Sequence, residues 1–253
     1  HAGDREEILI AQADLSMNRI IRDTWGFFRN RRPDSYAACC TPMPGDDPAL
    51  PDIREGDTPA NRGFYMPAEW EPHEAVWLSW PHRKDTFPNL SDVEDAYIGF
   101  IAAVAAGERV ELFVPSPGIN RMVRSRLRSM GSNLANVNLR TTEYGDVWIR
   151  DYGPTFVVNR ALKKCAMVRW NFNAWGEKYD DLIADGVVPE RMNRWLNLPV
   201  FKPGIVLEGG SIDVNGRGSV LTTRACLLNP NRNPHLTESD LEEYLRNYLG
   251  VTN

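Results

Sequence analysis

The sequence predicts an α/β fold. Three observations carry this reading. From residue 74 onward, strand-like runs alternate with segments whose apolar residues recur at helical spacing. Ahead of that region, a proline- and acid-rich stretch divides the chain. Finally, 253 residues, 42% of them hydrophobic and 25% charged, are enough to bury a sizeable core.

The elements follow in order. Residues 6–15, EEILIAQADL, have the β-branched and aliphatic content of a strand. Ser16 then offers an N-cap for a helix over 17–28, whose stripe is Ile20, Ile21, Trp25 and Phe28, and Pro33 stops the segment after Arg29, Arg31 and Arg32. Residues 40–58, with four prolines and no periodicity, have the composition of an extended linker. The main boundary falls there, giving units 1–38, 39–62 and 63–253.

The third unit opens with a strand over 74–80, a helix over 92–106 and a strand over 109–115. A helix with the stripe Ile119, Met122, Val123, Leu127 and Met130 leads to a strand over 137–142. Strands over 155–159 and 166–172 precede a helix over 189–196, and strands over 211–214 and 219–223 flank Asn215-Gly216, a strong hairpin signal. The last helix is expected over Glu238–Leu249, with Thr237 as N-cap and Gly250 as its stop. Another strand would be expected where the chain ends, so a truncation is expected.

Composition excludes several function classes. The 29 Lys+Arg against 34 Asp+Glu, a net charge of −5, argue against a general nucleic-acid binder and favour cationic partners. The longest uncharged apolar stretch, 96–107, is far short of the roughly 20 residues that cross a bilayer. The N-terminus lacks the basic and apolar regions of a signal peptide and an initiator Met, as the interior of a longer chain would. Cys39, Cys40, Cys165 and Cys226 make a poor disulfide framework, so a reducing cytoplasm is expected. His1, His73, His82 and His235 are not spaced for metal ligation, which argues against a zinc hydrolase.

Two segments stand out chemically. Residues 143–157, EYGDVWIRDYGPTFV, crowd Asp146, Trp148, Arg150, Asp151 and Tyr152 before Gly153-Pro154. Acids and aromatics at a strand-to-loop junction suit capture of a cation, through carboxylate pairing and a tryptophan face. The other reading is an Arg150–Asp151 surface pair beside a half-buried tryptophan. In 206–214, VLEGGSIDV, Glu208 follows an apolar run and precedes two glycines. It is expected to be desolvated and to need a histidine or a cationic substrate as partner; alternatively it sits in a tight turn that uses Gly209 and Gly210 for positive φ. His73 could form a dyad with a neighbouring carboxylate, although a turn histidine ahead of a strand is the simpler reading. Cys165 and Cys226 read as small buried hydrophobes, and Cys39 and Cys40 have no histidine nearby in sequence.

Four runs resemble the agmatine deiminase family, in that family's order: GFYMPAEWEPHEAVWLSWP (63–81), GDVWIRDYGPTFVVN (145–159), NFNAWGEKYD (171–180) and LEGGSIDVNGRGSVLTT (207–223). The resemblance covers 63–253, the N-terminal part of such an enzyme. It implies a pentein-like α/β propeller of ββαβ modules around a channel, here incomplete. It also implies a reaction in putrescine biosynthesis that needs no cofactor. A cysteine thiolate attacks the guanidinium carbon of agmatine, ammonia leaves, and water hydrolyses the thiouronium to N-carbamoylputrescine. By residue match, Asp151 is a guanidinium-binding carboxylate, Trp148 a substrate-contacting aromatic, and Glu208 the acid that orients the catalytic histidine. That histidine, a second aspartate and the nucleophilic cysteine are placed beyond Asn253, so the chain alone is expected to be inactive.

Residues 3–36 resemble instead the C-terminal tail of N-carbamoylputrescine amidase, of the nitrilase superfamily, which consumes the deiminase product. Together the two resemblances imply a fusion, or a read-through of two genes. The competing reading is a non-catalytic assembly fragment that docks a partner through Trp25, Phe27, Phe28 and the arginines beside them. A homo-oligomer is compatible with either.

Overall fold

A computed structural model describes residues 53, 54 and 56–253. The strand and helix expected over 6–28, the tail over 1–38, most of the linker, and Cys39 and Cys40 lie outside the described residues.

Strand β1 (Ala75–Ser79), helix α1 (Leu90–Ala105), strand β2 (Arg109–Val114), helix α2 (Pro117–Ser129) and strand β3 (Val137–Thr141) build a parallel sheet in the order β1-β2-β3. The central strand β2 is covered on both faces, which is why RVELFV is nearly continuously apolar. Apart from Arg109 at its start, the exception is buried Glu111, which accepts hydrogen bonds from Asn138 Nδ2 (2.6 Å) and Arg140 Nε (2.8 Å) on β3. The helices cover the sheet through Ile98, Ile101 and Ala105 of α1 and Val123 and Leu127 of α2. Helix α2 starts where Ser116 Oγ accepts from Ile119 N (3.3 Å), with Pro117 at its first position. Met130, expected on the buried stripe, lies one residue past the helix and is 57% exposed.

A short helix α3 (Ile149–Tyr152) leads into β4 (Thr155–Asn159), which pairs antiparallel with β5 (Lys164–Val168); β5 pairs in parallel with the two-residue strand β6 (Val200–Phe201). The strand expected over 166–172 thus begins two residues early and ends at Val168. Beyond it the Trp170 indole turns inward to donate to Thr155 Oγ1 (3.0 Å). Between β5 and β6 run a left-handed turn (Ala174–Glu177), a 3-10 segment (Asp180–Val187) and helix α4 (Val188–Leu196).

The Asn215-Gly216 signal does close an antiparallel hairpin, of β7 (Ile212–Val214) and β8 (Val220–Thr222). Its loop has five residues, one more than the expected strand bounds leave, and Asn215 Oδ1 spans it by accepting from both Arg217 N (2.8 Å) and Ser219 N (3.1 Å). After α5 (Arg224–Leu227) comes α6 (Glu238–Leu249), as expected: Thr237 and Asp240 form a capping box, and Gly250 ends the helix at φ 67°. Leu241, Leu245 and Leu249 of α6 pack into the second core, with Val157, Val168, Phe201 and Leu207. Residues Ala60–Arg62, inside the stretch assigned to the linker, form a 3-10 turn, and Arg62 O accepts from Asn159 Nδ2 (2.9 Å). Among the described residues the three sheets are separate and do not close into a ring.

Candidate active site

The segment crowded with acids and aromatics is pinned at the C-terminal end of the parallel sheet. Tyr144 OH donates to Trp80 O (2.7 Å), just past β1. Tyr152 OH donates to Asp146 O (2.7 Å) and stands 2.7 Å from Ser79 Oγ, the last residue of β1. Burial pushes both phenols well above their ordinary value, so they stay protonated and serve as anchors. The backbone before α3 is fixed from the other side by buried Asp185, which accepts from Gly145 N (2.5 Å) and Asp146 N (3.2 Å).

Asp185 carries a pH prediction. Burial raises its carboxyl above the ordinary 3.8, the two backbone N–H groups oppose this, and the charge of Asp146 adds to the rise. The folded state therefore holds this proton to higher pH than the unfolded chain does. The associated stability is full below 3.8 and is lost as pH rises through the folded value. A carboxyl-carbon NMR titration of Asp185 should give a midpoint above 3.8; one at or below it contradicts the assignment.

These anchors present Asp146, Trp148 and Asp151 to one cleft of about 520 Å³. Asp146, 1% exposed, accepts from Thr86 Oγ1 (2.6 Å) and Trp148 Nε1 (3.2 Å), which sets the indole of Trp148. Trp148 is 42% exposed and meets Trp175 edge to face at 6.1 Å. Asp151 accepts from Gly210 N at Oδ1 (2.9 Å) and from Trp175 Nε1 at Oδ2 (3.1 Å). A carboxylate has about four lone-pair sites, so one donor on each oxygen fixes its plane and leaves capacity for a ligand. At the mouth Arg83 pairs with Asp181 (2.5 Å). Its guanidinium is held further above its ordinary value, chiefly by the hydrogen bond to Asp181. Four aspartates (85, 146, 151 and 181) against this one arginine leave the lining acidic.

Glu208 does not line this cleft. It is 2% exposed and lies behind Asp151, joined to it through Gly209 and Gly210. Among the described residues its partner is Arg232, whose Nε donates to Glu208 Oε1 at 2.5 Å, with Glu208 buried and Arg232 largely so. The two glycines are not in the left-handed region either. They are there for closeness, since a Cβ on Gly209 would stand 2.1 Å from Arg150 O and one on Gly210 would stand 2.3 Å from Asp151 Oδ1. Gly209→Ala should therefore displace α3 and destabilise the fold by about 2–3 kcal/mol in urea unfolding; a loss under about 0.5 kcal/mol would show that the backbone contact yields freely.

Other expectations are corrected. Arg150 does not pair with Asp151; it pairs with Glu69 and donates from Nε to Gly209 O (3.0 Å). Cys165 and Cys226 are half-buried rather than buried. Burial, followed by the charge of Glu208 3.8 Å away, pushes the Cys226 thiol up, against the thiolate form. His73 does meet a carboxylate, Glu108 at 2.6 Å, but it precedes β1 at the sheet end opposite the cleft. His82 lies edge-on to Tyr144 at 4.9 Å. Among the described residues no cluster of His, Cys, Asp and Glu is placed to hold a metal, and no helix is long and apolar enough to cross a membrane. Trp175 and Arg232 were missed by sequence reasoning. Their available signals were the position of Trp175 inside NFNAWGEKYD and the demand of Glu208 for a cation.

The comparisons with known proteins agree with this α/β fold. Agmatine deiminase of Medicago truncatula is 38% identical over 208 residues, 77% of this chain and 54% of that protein. The structure of agmatine deiminase of Enterococcus faecalis superposes with a TM-score of 0.70 at 32% identity, over 80% of this chain and 55% of that one. Agmatine deiminase of C. jejuni gives 0.62 at 30%, over 75% and 54%. The chain thus spans about half the length of the relatives it matches. The model of the Porphyromonas-type peptidyl-arginine deiminases matches residues 65–253, and the chain belongs to that family.

Proposed function

We propose that this chain supplies the guanidinium-receiving half of an agmatine deiminase, a hydrolase that converts agmatine and water to N-carbamoylputrescine and ammonia in putrescine formation. The observation that carries this is Asp151, an oriented carboxylate in an acidic, tryptophan-walled cleft. A guanidinium stays protonated at any physiological pH, so its site must offer carboxylates to its N–H groups and an aromatic face to its plane. Asp151 takes the first role and Trp148 the second. Glu208, held by Arg232, orients a catalytic histidine; that histidine and the cysteine that attacks the guanidinium carbon are both contributed by the family's second half. No cofactor enters this scheme.

The finer parts of the reading rest on the sequence: a partial pentein propeller over 63–253 and a nitrilase-like tail over 1–38 on resemblance, the linker over 39–62 on composition, and a cytoplasmic setting on the cysteine pattern. The test is calorimetric titration of the chain with agmatine, and an assay of ammonia release from a longer polypeptide that includes the family's second half. Binding in the first and turnover in the second are expected. A chain that does not bind agmatine, or that binds an uncharged amide analogue as well as agmatine, overturns the reading.

A further inference from the structure

We infer that the left-handed turn Ala174–Glu177 is a positioning device that holds Trp175 against Asp151, and that Asn173 is its latch. The inference deepens the functional reading above and rests on it for the identity of the ligand.

Four successive residues, Ala174, Trp175, Gly176 and Glu177, have φ of 51°, 59°, 84° and 60°. Three of them carry a Cβ, which in this conformation crowds the following carbonyl oxygen, so such a run persists only where its surroundings hold it. It is a complete turn of left-handed helix: Glu177 N donates to Asn173 O (2.6 Å) and Lys178 N to Ala174 O (3.1 Å). Asn173 holds it twice, because its Oδ1 accepts from Gly176 N (2.9 Å) while its Nδ2 donates to Asn231 O (2.9 Å). Gly176 lies against that same segment, and a Cβ there would stand 2.3 Å from Asn231.

The turn gives direction to Trp175. Its ring is set edge to face among Trp148, Phe172 and Tyr179 at 6.1, 5.2 and 5.7 Å, and its Nε1 donates to Asp151 Oδ2 (3.1 Å). A right-handed turn would send the Cα–Cβ bond elsewhere and break that contact. The connections form a closed circuit. Asp151 is held by Trp175, Trp175 by the turn, and the turn by Asn231; Arg232 Nη1 donates to Asn231 Oδ1 (2.7 Å) and Arg232 Nε to Glu208. Gly210, two residues on, returns to Asp151. Both carboxylates assigned to the site are therefore fixed by one hydrogen-bonded ring, and Trp175 and Asn173 act through it as positioning residues.

The test has two readouts. With isotope-labelled tryptophan, the indole N–H signal of Trp175 is assigned by its absence in Trp175→Phe. Asn173→Ala is expected to shift that signal and speed its solvent exchange about tenfold, with the melting temperature within a few degrees. In titrations with agmatine, Trp175→Phe and Asn173→Ala should each weaken binding about tenfold, the loss of one charge-assisted hydrogen bond. The double variant should be no weaker than either, because both act through the same bond. An unchanged indole signal in Asn173→Ala overturns the inference whatever the ligand does. Additive losses, about a hundredfold in the double variant, overturn it as well, since they mean two independent effects. If the unsubstituted chain ignores agmatine, the functional reading fails while the indole measurement still decides the latch. Should Asn173→Ala not fold, Asn173→Asp keeps the acceptor for Gly176 N, removes the donor to Asn231 O, and is expected to give the same indole shift.

Discussion

Asp151→Asn is expected to weaken agmatine binding on the order of a hundredfold or more while leaving the chain folded. Asparagine has the same shape but only one oxygen, whereas both oxygens of Asp151 accept a hydrogen bond, from Gly210 N and from the Trp175 indole. One of these donors must then face an NH₂ group, which tilts the side chain, and the ligand meets no negative charge at this point. A charge-assisted hydrogen bond contributes about 1.5–3 kcal/mol, and a guanidinium can make two to one carboxylate, so a loss of about 3 kcal/mol follows. Asp85→Asn is the control. Its side chain at the cleft mouth is 92% exposed, so its charge is screened, and its loss should change binding less than about twofold at physiological salt. An Asp151→Asn affinity within threefold of the original would remove Asp151 from the binding role.

How far the sequence revealed this arrangement depends on how local the causes are. Helix α6 was legible at both ends because its N-cap, its capping-box partner and its terminal glycine lie within fourteen residues of one another. Strand β4 was legible because Pro154 precedes a run of β-branched and aromatic residues, TFVV. Trp148 and Asp151 could be singled out because acids beside aromatics do not make a strand core. What they share a cleft with could not, since Trp175 reaches Asp151 from 24 residues away through a turn that has a single glycine. A left-handed Ala-Trp-Gly-Glu run contradicts local propensity, and it is held by Asn173, itself anchored on the distant Asn231. The same reason hid the partner of Glu208. Burial was legible from its neighbours, but Arg232 lies 24 residues on, in an asparagine-rich loop that gives no periodic signal. The roles of Gly209 and Gly210 were misread because sequence alone cannot separate positive φ from close approach.

Arg232→Met is expected to be the most destabilising single change at this site. Glu208 is 2% exposed, and its cationic partner is Arg232, at 2.5 Å. Methionine fills a similar volume, so the effect isolates the charge rather than a cavity. Leaving a buried carboxylate unpaired costs about 3–5 kcal/mol, which for a domain of this size lowers the melting temperature by about 10 °C or more. Removing both charges should reverse much of that. In Arg232→Met/Glu208→Leu no ion remains to be desolvated, and apolar replacements of buried pairs are commonly neutral or stabilising. The double variant should melt within a few degrees of the original, yet it should not support turnover in the longer polypeptide, because the acid assigned to orient the histidine is gone. Stability and function would then separate at one pair. If the double variant is as unstable as Arg232→Met alone, the two side chains act through packing rather than charge. A drop below about 1 kcal/mol in Arg232→Met would mean that Glu208 reaches water or another donor when its arginine is removed.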